Sequence, residues 1–334
     1  MTKLQDEVAR VVEEHDFSGV IRVDRRGHPE ISRAYGLAER GFGVPNTLET
    51  QFGVASATKG LTALTVVSLV NEGRLTLDTT ARSLLRDDLP EIDDEVTVEH
   101  LLAHRSGIGD YVDEDGGFDA TAYVMTLPLH ELATTGGYLR ALTGRPATFA
   151  PGETFSYNNS GFVVLAILVE RVTGSTFHDM VGQRVCGPAG MRDTAFLRSD
   201  ELPGRAARGY LAADGLRTNV LHLPVCGSGD GGAYSTVADI HGFWHALFDG
   251  RIVPPGWVEE MVRPRSDVPA EHRRYGLGFW LHQSRDAVLL EGYDAGVSFR
   301  SLHDRSAEVT FTVVSNSTDG AWPVAGFIED SLLG

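Results

Sequence analysis

A serine and a lysine stand three residues apart in Phe52-Gly53-Val54-Ala55-Ser56-Ala57-Thr58-Lys59-Gly60, just ahead of the apolar run Leu61 to Val70. Residues three apart on a helix share a face, so this spacing puts the Lys59 amine one turn above the Ser56 hydroxyl. A serine hydroxyl is a weak nucleophile until a neighbouring base takes its proton. An amine partly stripped of water has its pKa lowered toward the range where it can be that base. The chain holds two lysines, Lys3 and Lys59, against 27 arginines. Arginine supplies nearly every surface cation, yet the cation at the most apolar helix start is the type that can deprotonate in a protein. The pair therefore predicts nucleophilic chemistry on Ser56.

A second stretch offers partners. Ala150-Pro151-Gly152-Glu153-Thr154-Phe155-Ser156-Tyr157-Asn158-Asn159-Ser160-Gly161 is dense in turn formers and leads into an apolar helix from about Phe162 to Val172. A tyrosine hydroxyl beside a lysine ammonium has its pKa lowered and can relay a proton. The Asn159 amide can hold both Lys59 and a substrate carbonyl. Taken alone, the same residues also read as an asparagine-rich helix cap with a half-buried tyrosine.

The elements that must position these groups follow from periodicity. Leu4, Val8, Val11 and Val12 recur at helical spacing, and two strands near 18–23 and 30–37 flank the tight turn Asp24-Arg25-Arg26-Gly27. The Ser56 helix ends near Gly73, and Thr97 to Leu102 reads as a helix start. From Tyr275 the pattern turns to strands at 275–281, 287–292, 297–302 and 308–314, with a closing helix at 322–332. The expectation is an α+β fold in one domain. Residues of about 1–78 and 246–334 form a sheet-bearing lobe, and residues of about 79–245 form an inserted helical lobe.

Ser56-Ala57-Thr58-Lys59 followed by Tyr157-Asn158-Asn159 resembles the serine β-lactamase and penicillin-binding-protein superfamily, in its class C-like branch. Four further stretches carry the resemblance in order: Leu101-Leu102-Ala103-His104-Arg105-Ser106-Gly107-Ile108, Pro151 to Gly161, Gly231-Gly232-Ala233-Tyr234-Ser235-Thr236, and Tyr275-Gly276-Leu277-Gly278-Phe279. The resemblance implies an antiparallel sheet flanked by helices and an acyl-enzyme on Ser56, with Lys59 and Tyr157 sharing the proton traffic and Asn159 orienting them. It leaves open which of the two is the base.

The superfamily's third motif is Lys-Thr-Gly or His-x-Gly on a strand lining the site. It matches Tyr293-Asp294-Ala295-Gly296, with Tyr293 in place of the cation and Ala295 in place of the glycine. In that register the backbone N–H groups of Ser56 and Gly296 form the oxyanion hole. A tyrosine lacks the cation that binds a substrate carboxylate, so esters, amides or capped peptides fit better than β-lactams or D-Ala-D-Ala. Arg300 either restores that charge or makes a structural ion pair. The function implied is an esterase or D-amino-acid amidase or peptidase. Alternatives are a β-lactamase or DD-carboxypeptidase, an acyl transferase, and a catalytically silent binder.

Bulk properties narrow the field. A net charge of −17 disfavours nucleic acid and anionic membranes as partners, leaving a small molecule or short peptide. Cys186 and Cys226 fit no metal spacing or disulfide framework. The pairs His100/His104 and His241/His245 have helical spacing without the glutamate of a zinc protease, so neither metal nor cofactor is expected. Gly227-Ser228-Gly229-Asp230-Gly231-Gly232 satisfies a dinucleotide-loop pattern, but with no strand ahead of it the reading is a loop bordering the site. Asp110, Tyr111 and the acidic residues through Asp115 read first as solvated loop, with part of a lid or pocket rim as the alternative. No leader pattern opens the chain, and a cytoplasmic protein is expected.

Overall fold

The computed structural model describes residues 3–112 and 119–333. Helix α1 (Lys3–Glu14) leads into strands β1 (Gly19–Arg25) and β2 (His28–Tyr35). Arg26 and Gly27 between them take positive φ of 53° and 75°, the conformation that lets a two-residue turn follow the strand twist. Next come helices α2 (Thr58–Asn71), α3 (Val98–Leu102), α4 (Asn159–Thr173) and α5 (Val237–Phe248). The chain then returns through β3 (Ser266–Val268), β4 (Arg273–Tyr275), β5 (Trp280–His282), β6 (Ala287–Asp294), β7 (Val297–Asp304) and β8 (Val309–Ser315) to α6 (Ala321–Leu333). Eight strands form one sheet in the order β2-β1-β8-β7-β6-β5-β4-β3, so strands from both ends of the chain meet where β1 pairs β8 antiparallel. This is the α+β, β-lactamase/transpeptidase-like architecture the sequence led us to expect.

Side chains alternate across a strand, and the sheet divides its apolar residues accordingly. Ile21, Val23, Leu289, Leu302, Phe311 and Val313 pack with α1 and α6 on one face. Val20, Leu290, Phe299 and Val314 face the larger core around α2 and α4. Helix α2 is buried from Thr58 through Leu69, so it has no solvent face. Its Gly60 lets the sheet approach closely: a Cβ there would stand 2.6 Å from Leu290 and 3.2 Å from Phe279. The start of α2 is thereby held against β6.

One expected strand, 275–281, is two. Gly276 donates to the Phe279 carbonyl in a tight reversal between β4 and β5. Gly278 within it has φ +83°, and a Cβ there would fall 2.2 Å from Ala63 of α2. Contact with the central helix breaks the strand, and the reversal brings Trp280 to the mouth of the site. Among the described residues no single helix is long and apolar enough to cross a membrane.

Candidate active site

Ser56 sits in a 3₁₀ turn (Ala55–Ala57) that feeds α2. The turn is fixed from several sides. Val54 donates to the Ala233 carbonyl, Thr58 Oγ1 donates to the Ala55 carbonyl at 2.7 Å, and Ala233 N–H donates to Thr58 Oγ1. Ala55 takes φ +44°, a strained conformation for a residue with a Cβ, immediately before the serine.

Lys59 is 2% exposed and makes three short polar contacts. Its Nζ lies 3.0 Å from Ser56 Oγ, 2.7 Å from Asn159 Oδ1 and 2.7 Å from the Asp230 carbonyl oxygen. The asparagine and peptide oxygens can only accept, so each takes one N–H. A further direction faces the serine. There the ammonium donates a hydrogen bond, and the neutral amine offers its lone pair to the hydroxyl proton. Lys59 Nζ also stands 4.7 Å from the centre of the Tyr157 ring. Ser56, Lys59, Tyr157 and Asn159 thus converge from the 3₁₀ turn, α2, the loop before α4, and the first turn of α4.

That first turn is anchored by a residue expected in solvated loop. Asp110 accepts from the N–H groups of Asn159 and Ser160 and from Ser160 Oγ, at 2.7, 3.0 and 3.0 Å. A carboxylate at exposed helix N–H groups is favourable because it meets both unpaired donors and the positive end of the helix dipole. Tyr111 beside it is 5% exposed, and its hydroxyl donates to Asp230 Oδ2 at 2.5 Å. Tyr111 belongs to the wall of the site, and Asp110 fixes the helix turn that carries Asn159. Asp113, Glu114 and Asp115 of the same reading lie outside the described residues.

The glycine-rich loop does border the site. Thr62 Oγ1 donates to the Gly229 carbonyl, and Gly231 packs beside the Ala55–Ser56 peptide. Asp230 from this loop had no assigned role. Burial pushes its carboxyl up to about 6, against the opposing pull of Lys59 and the Tyr111 hydrogen bond. A folded-state carboxyl raised above its unfolded value binds more protons than the unfolded chain, so stability falls as pH rises from about 4 to 6. Asp230→Asn removes that dependence. Relative to wild type, its urea midpoint is expected to correspond to about 1 kcal/mol more stability at pH 8 than at pH 5. An unchanged difference at the two pH values would contradict this.

The third motif requires a correction. Gly296 is not an oxyanion donor: its N–H donates to Thr318 Oγ1 at 2.9 Å. It occupies the turn between β6 and β7 with φ +67°, and a Cβ there would meet the Gly209–Tyr210 backbone at 2.7 Å. Ala295 is buried in the same turn, and its carbonyl accepts from Asn219. The glycine that presses on the nucleophile turn is Gly292, where a Cβ would stand 2.1 Å from the Val54 carbonyl oxygen. The Lys/His-x-Gly pattern therefore fits Leu290-Glu291-Gly292, three residues earlier, and the cation position holds a buried leucine.

Ladder parity identifies the free backbone groups. Asp294 and Val297 flank a two-residue turn and form a hydrogen-bonded pair, so Tyr293 and Glu291 direct their N–H and C=O away from β7. Strand β5 pairs only Val288 and Leu289, leaving this edge of β6 open beside Ser56. The Tyr293 ring itself is 38% exposed and lies near Trp322. Arg300 contacts Glu291 at 2.7 Å and, at 3.1 Å, a Glu329 that it shares with Arg273, so its charge is matched within a two-arginine, two-glutamate cluster.

Ser56 lies on two cavities. One, open and of about 460 Å³, is lined by Phe155, Tyr157, Trp280, Tyr293 and Trp322 together with the charged Glu271, Glu291 and Arg300. The other, of about 60 Å³, is more enclosed and is bounded by Tyr111, Asn159, Leu223, Asp230 and Asp294. No cluster of three metal-ligating side chains occurs among the described residues.

Residues 4–326 match the Beta-lactamase family. The chain belongs to that family. A penicillin-binding protein from Bacillus halodurans superposes with a TM-score of 0.90 at 32% identity, covering 97% of this chain and 99% of that one. The D-amino acid amidase of Ochrobactrum anthropi gives a TM-score of 0.80 at 25% identity, covering 99% of each chain. Esterase EstB of Burkholderia gladioli is 36% identical over 194 residues, which are 56% of this chain and 48% of that esterase. The family includes serine hydrolases, and relatives named for esterase, amidase and penicillin-binding roles share one scaffold.

Proposed function

We propose that the protein is a serine hydrolase that cleaves an ester or amide through an acyl-enzyme on Ser56. The observation that carries this reading is the 3.0 Å contact between a buried amine and a serine hydroxyl at the junction of two cavities. Ser56 Oγ attacks the substrate carbonyl carbon while its proton passes to the Lys59/Tyr157 pair. The same proton goes on to the departing alcohol or amine as the carbonyl–leaving-group bond breaks. Water then attacks the acyl-enzyme by the reverse proton path and frees Ser56. Proton transfer of this kind contributes about 10²- to 10⁴-fold in rate. The N–H groups of Ser56 and Tyr293 would hold the oxyanion, each donor being worth about 10²- to 10³-fold.

Leu290 supplies no charge, Arg300 is paired with Glu291 and Glu329, and Glu271 also lines the open cavity. These residues favour neutral substrates with an apolar or aromatic group over carboxylates. The test is a panel of p-nitrophenyl esters, D-amino-acid amides and nitrocefin, run on wild type and Ser56→Ala. Turnover of esters or amides, at least tenfold faster in kcat/KM than of nitrocefin and lost in Ser56→Ala, is expected. Preference for nitrocefin would overturn the substrate reading.

A further inference from the structure

We propose that His104 is the positioning residue for Tyr157, an inference that rests on the proton-relay reading of that tyrosine. His104 follows α3 in the left-handed region, with φ +55°, a conformation that a residue bearing a Cβ adopts only when its surroundings hold it there. The conformation lets one residue grip the relay loop twice. The His104 carbonyl accepts from Ser156 N–H at 2.9 Å, and its ring Nδ1 accepts from Asn158 N–H at 3.1 Å. Those donors are the residues immediately before and after Tyr157. The peptide segment carrying the phenol is therefore fixed at both ends by a single side chain and its own backbone.

The ring completes the cradle. Its centre lies 4.4 Å from that of Tyr157, which also stacks on Trp280 at 6.0 Å and 10°. Phe162 and Tyr275 close the remaining sides at 4.9 and 4.8 Å. The imidazole is 1% exposed, and Nε2 is buried with no hydrogen-bond partner. An unpartnered buried polar atom is unfavourable, so packing alone would be better served by phenylalanine. What phenylalanine cannot supply is the acceptor for Asn158. Nδ1 accepts, so the ring proton sits on Nε2 and the imidazole is neutral. Burial, and the nearby Lys59 charge, hold its pKa well below the usual histidine value and preserve that form.

The test compares His104→Phe, which keeps a ring but loses the acceptor, with His104→Asn, whose amide oxygen can stand where Nδ1 stood. Steady-state ester hydrolysis is measured per folded molecule, the folded fraction being read from urea transitions. His104→Phe is expected to lower kcat 10- to 100-fold with KM within twofold, the scale of a misplaced catalytic group. His104→Asn is expected to recover most of that loss. The pH–rate profile of His104→Phe should take the shape of that of Tyr157→Phe, and the double variant should be no slower than Tyr157→Phe alone. Wild-type kcat in His104→Phe, or losses that multiply in the double variant, would overturn the proposal. Absence of any Ser56-dependent turnover in wild type would overturn the relay reading and this one together, so the two failures are distinct.

Discussion

Lys59→Met is expected to lower the rate of Ser56 acylation by about 10²- to 10⁴-fold, the range for loss of a positioned general base. Methionine keeps an unbranched apolar stem slightly shorter than that of lysine but offers no proton and no lone pair basic enough to take one. Ser56 keeps its place, because the 3₁₀ turn is held by Val54, Thr58 and Ala233 and not by the amine. Substrate binding in the open cavity should change little, so the loss should fall on kcat. The variant also deprives Asn159 Oδ1 and the Asp230 carbonyl of the Lys59 donor, a destabilisation of about 1–3 kcal/mol. Stopped-flow acylation by a p-nitrophenyl ester, beside a urea titration, separates the two effects. An acylation rate within tenfold of wild type would remove Lys59 from the proton path.

Gly292→Ala should be nearly as damaging, although it changes no reactive group. A methyl there would stand 2.1 Å from the Val54 carbonyl oxygen, far inside contact distance, so β6 must move off the nucleophile turn. The Tyr293 N–H moves with it. Losing one oxyanion donor lowers kcat by about 10²- to 10³-fold. The informative comparison is Gly296→Ala. It is strained by its φ of +67° and its contact with Gly209, and destabilises by roughly 1–3 kcal/mol. Its folded fraction should nonetheless hydrolyse ester at close to the wild-type rate, because the Gly296 N–H faces Thr318. A large kcat loss at 296 with little at 292 would restore the register expected from sequence.

The parts of the site legible in the sequence are those whose chemistry is local. Ser56 and Lys59 are one helical turn apart, and the scarcity of lysine marked the second of them. Tyr157 and Asn159 open an apolar helix, where a capping motif is plain. The fold class was equally visible, since helical and alternating patterns occupy separate stretches. The third motif slipped by three residues, with Ala295 set where Gly292 belongs, because sequence does not say in which of the two registers a neighbouring element presses on the strand. Only Val54 against β6, and the parity of the β6–β7 ladder, distinguish them.

The solvated-loop reading of Asp110 and Tyr111, as against the pocket-rim one, failed for a related reason. An acidic, glycine-rich stretch has the composition of solvated loop, yet its carboxylate caps a helix that starts 49 residues later. Asp230 and His104 sat in stretches read as loop and as family signature. Their roles come from contacts with Lys59, Asn158 and Tyr157 across the fold, and no local spacing encodes such pairings.

The acyl-enzyme itself is open to direct observation. Wild-type protein, mixed with a fluorophosphonate or quenched during turnover of a slowly deacylating ester, is digested and its peptides are weighed. The account predicts one added group on the peptide bearing Ser56, mapped to that hydroxyl and missing from Ser56→Ala. A group carried by any other side chain, or turnover with Ser56 never modified, would contradict it.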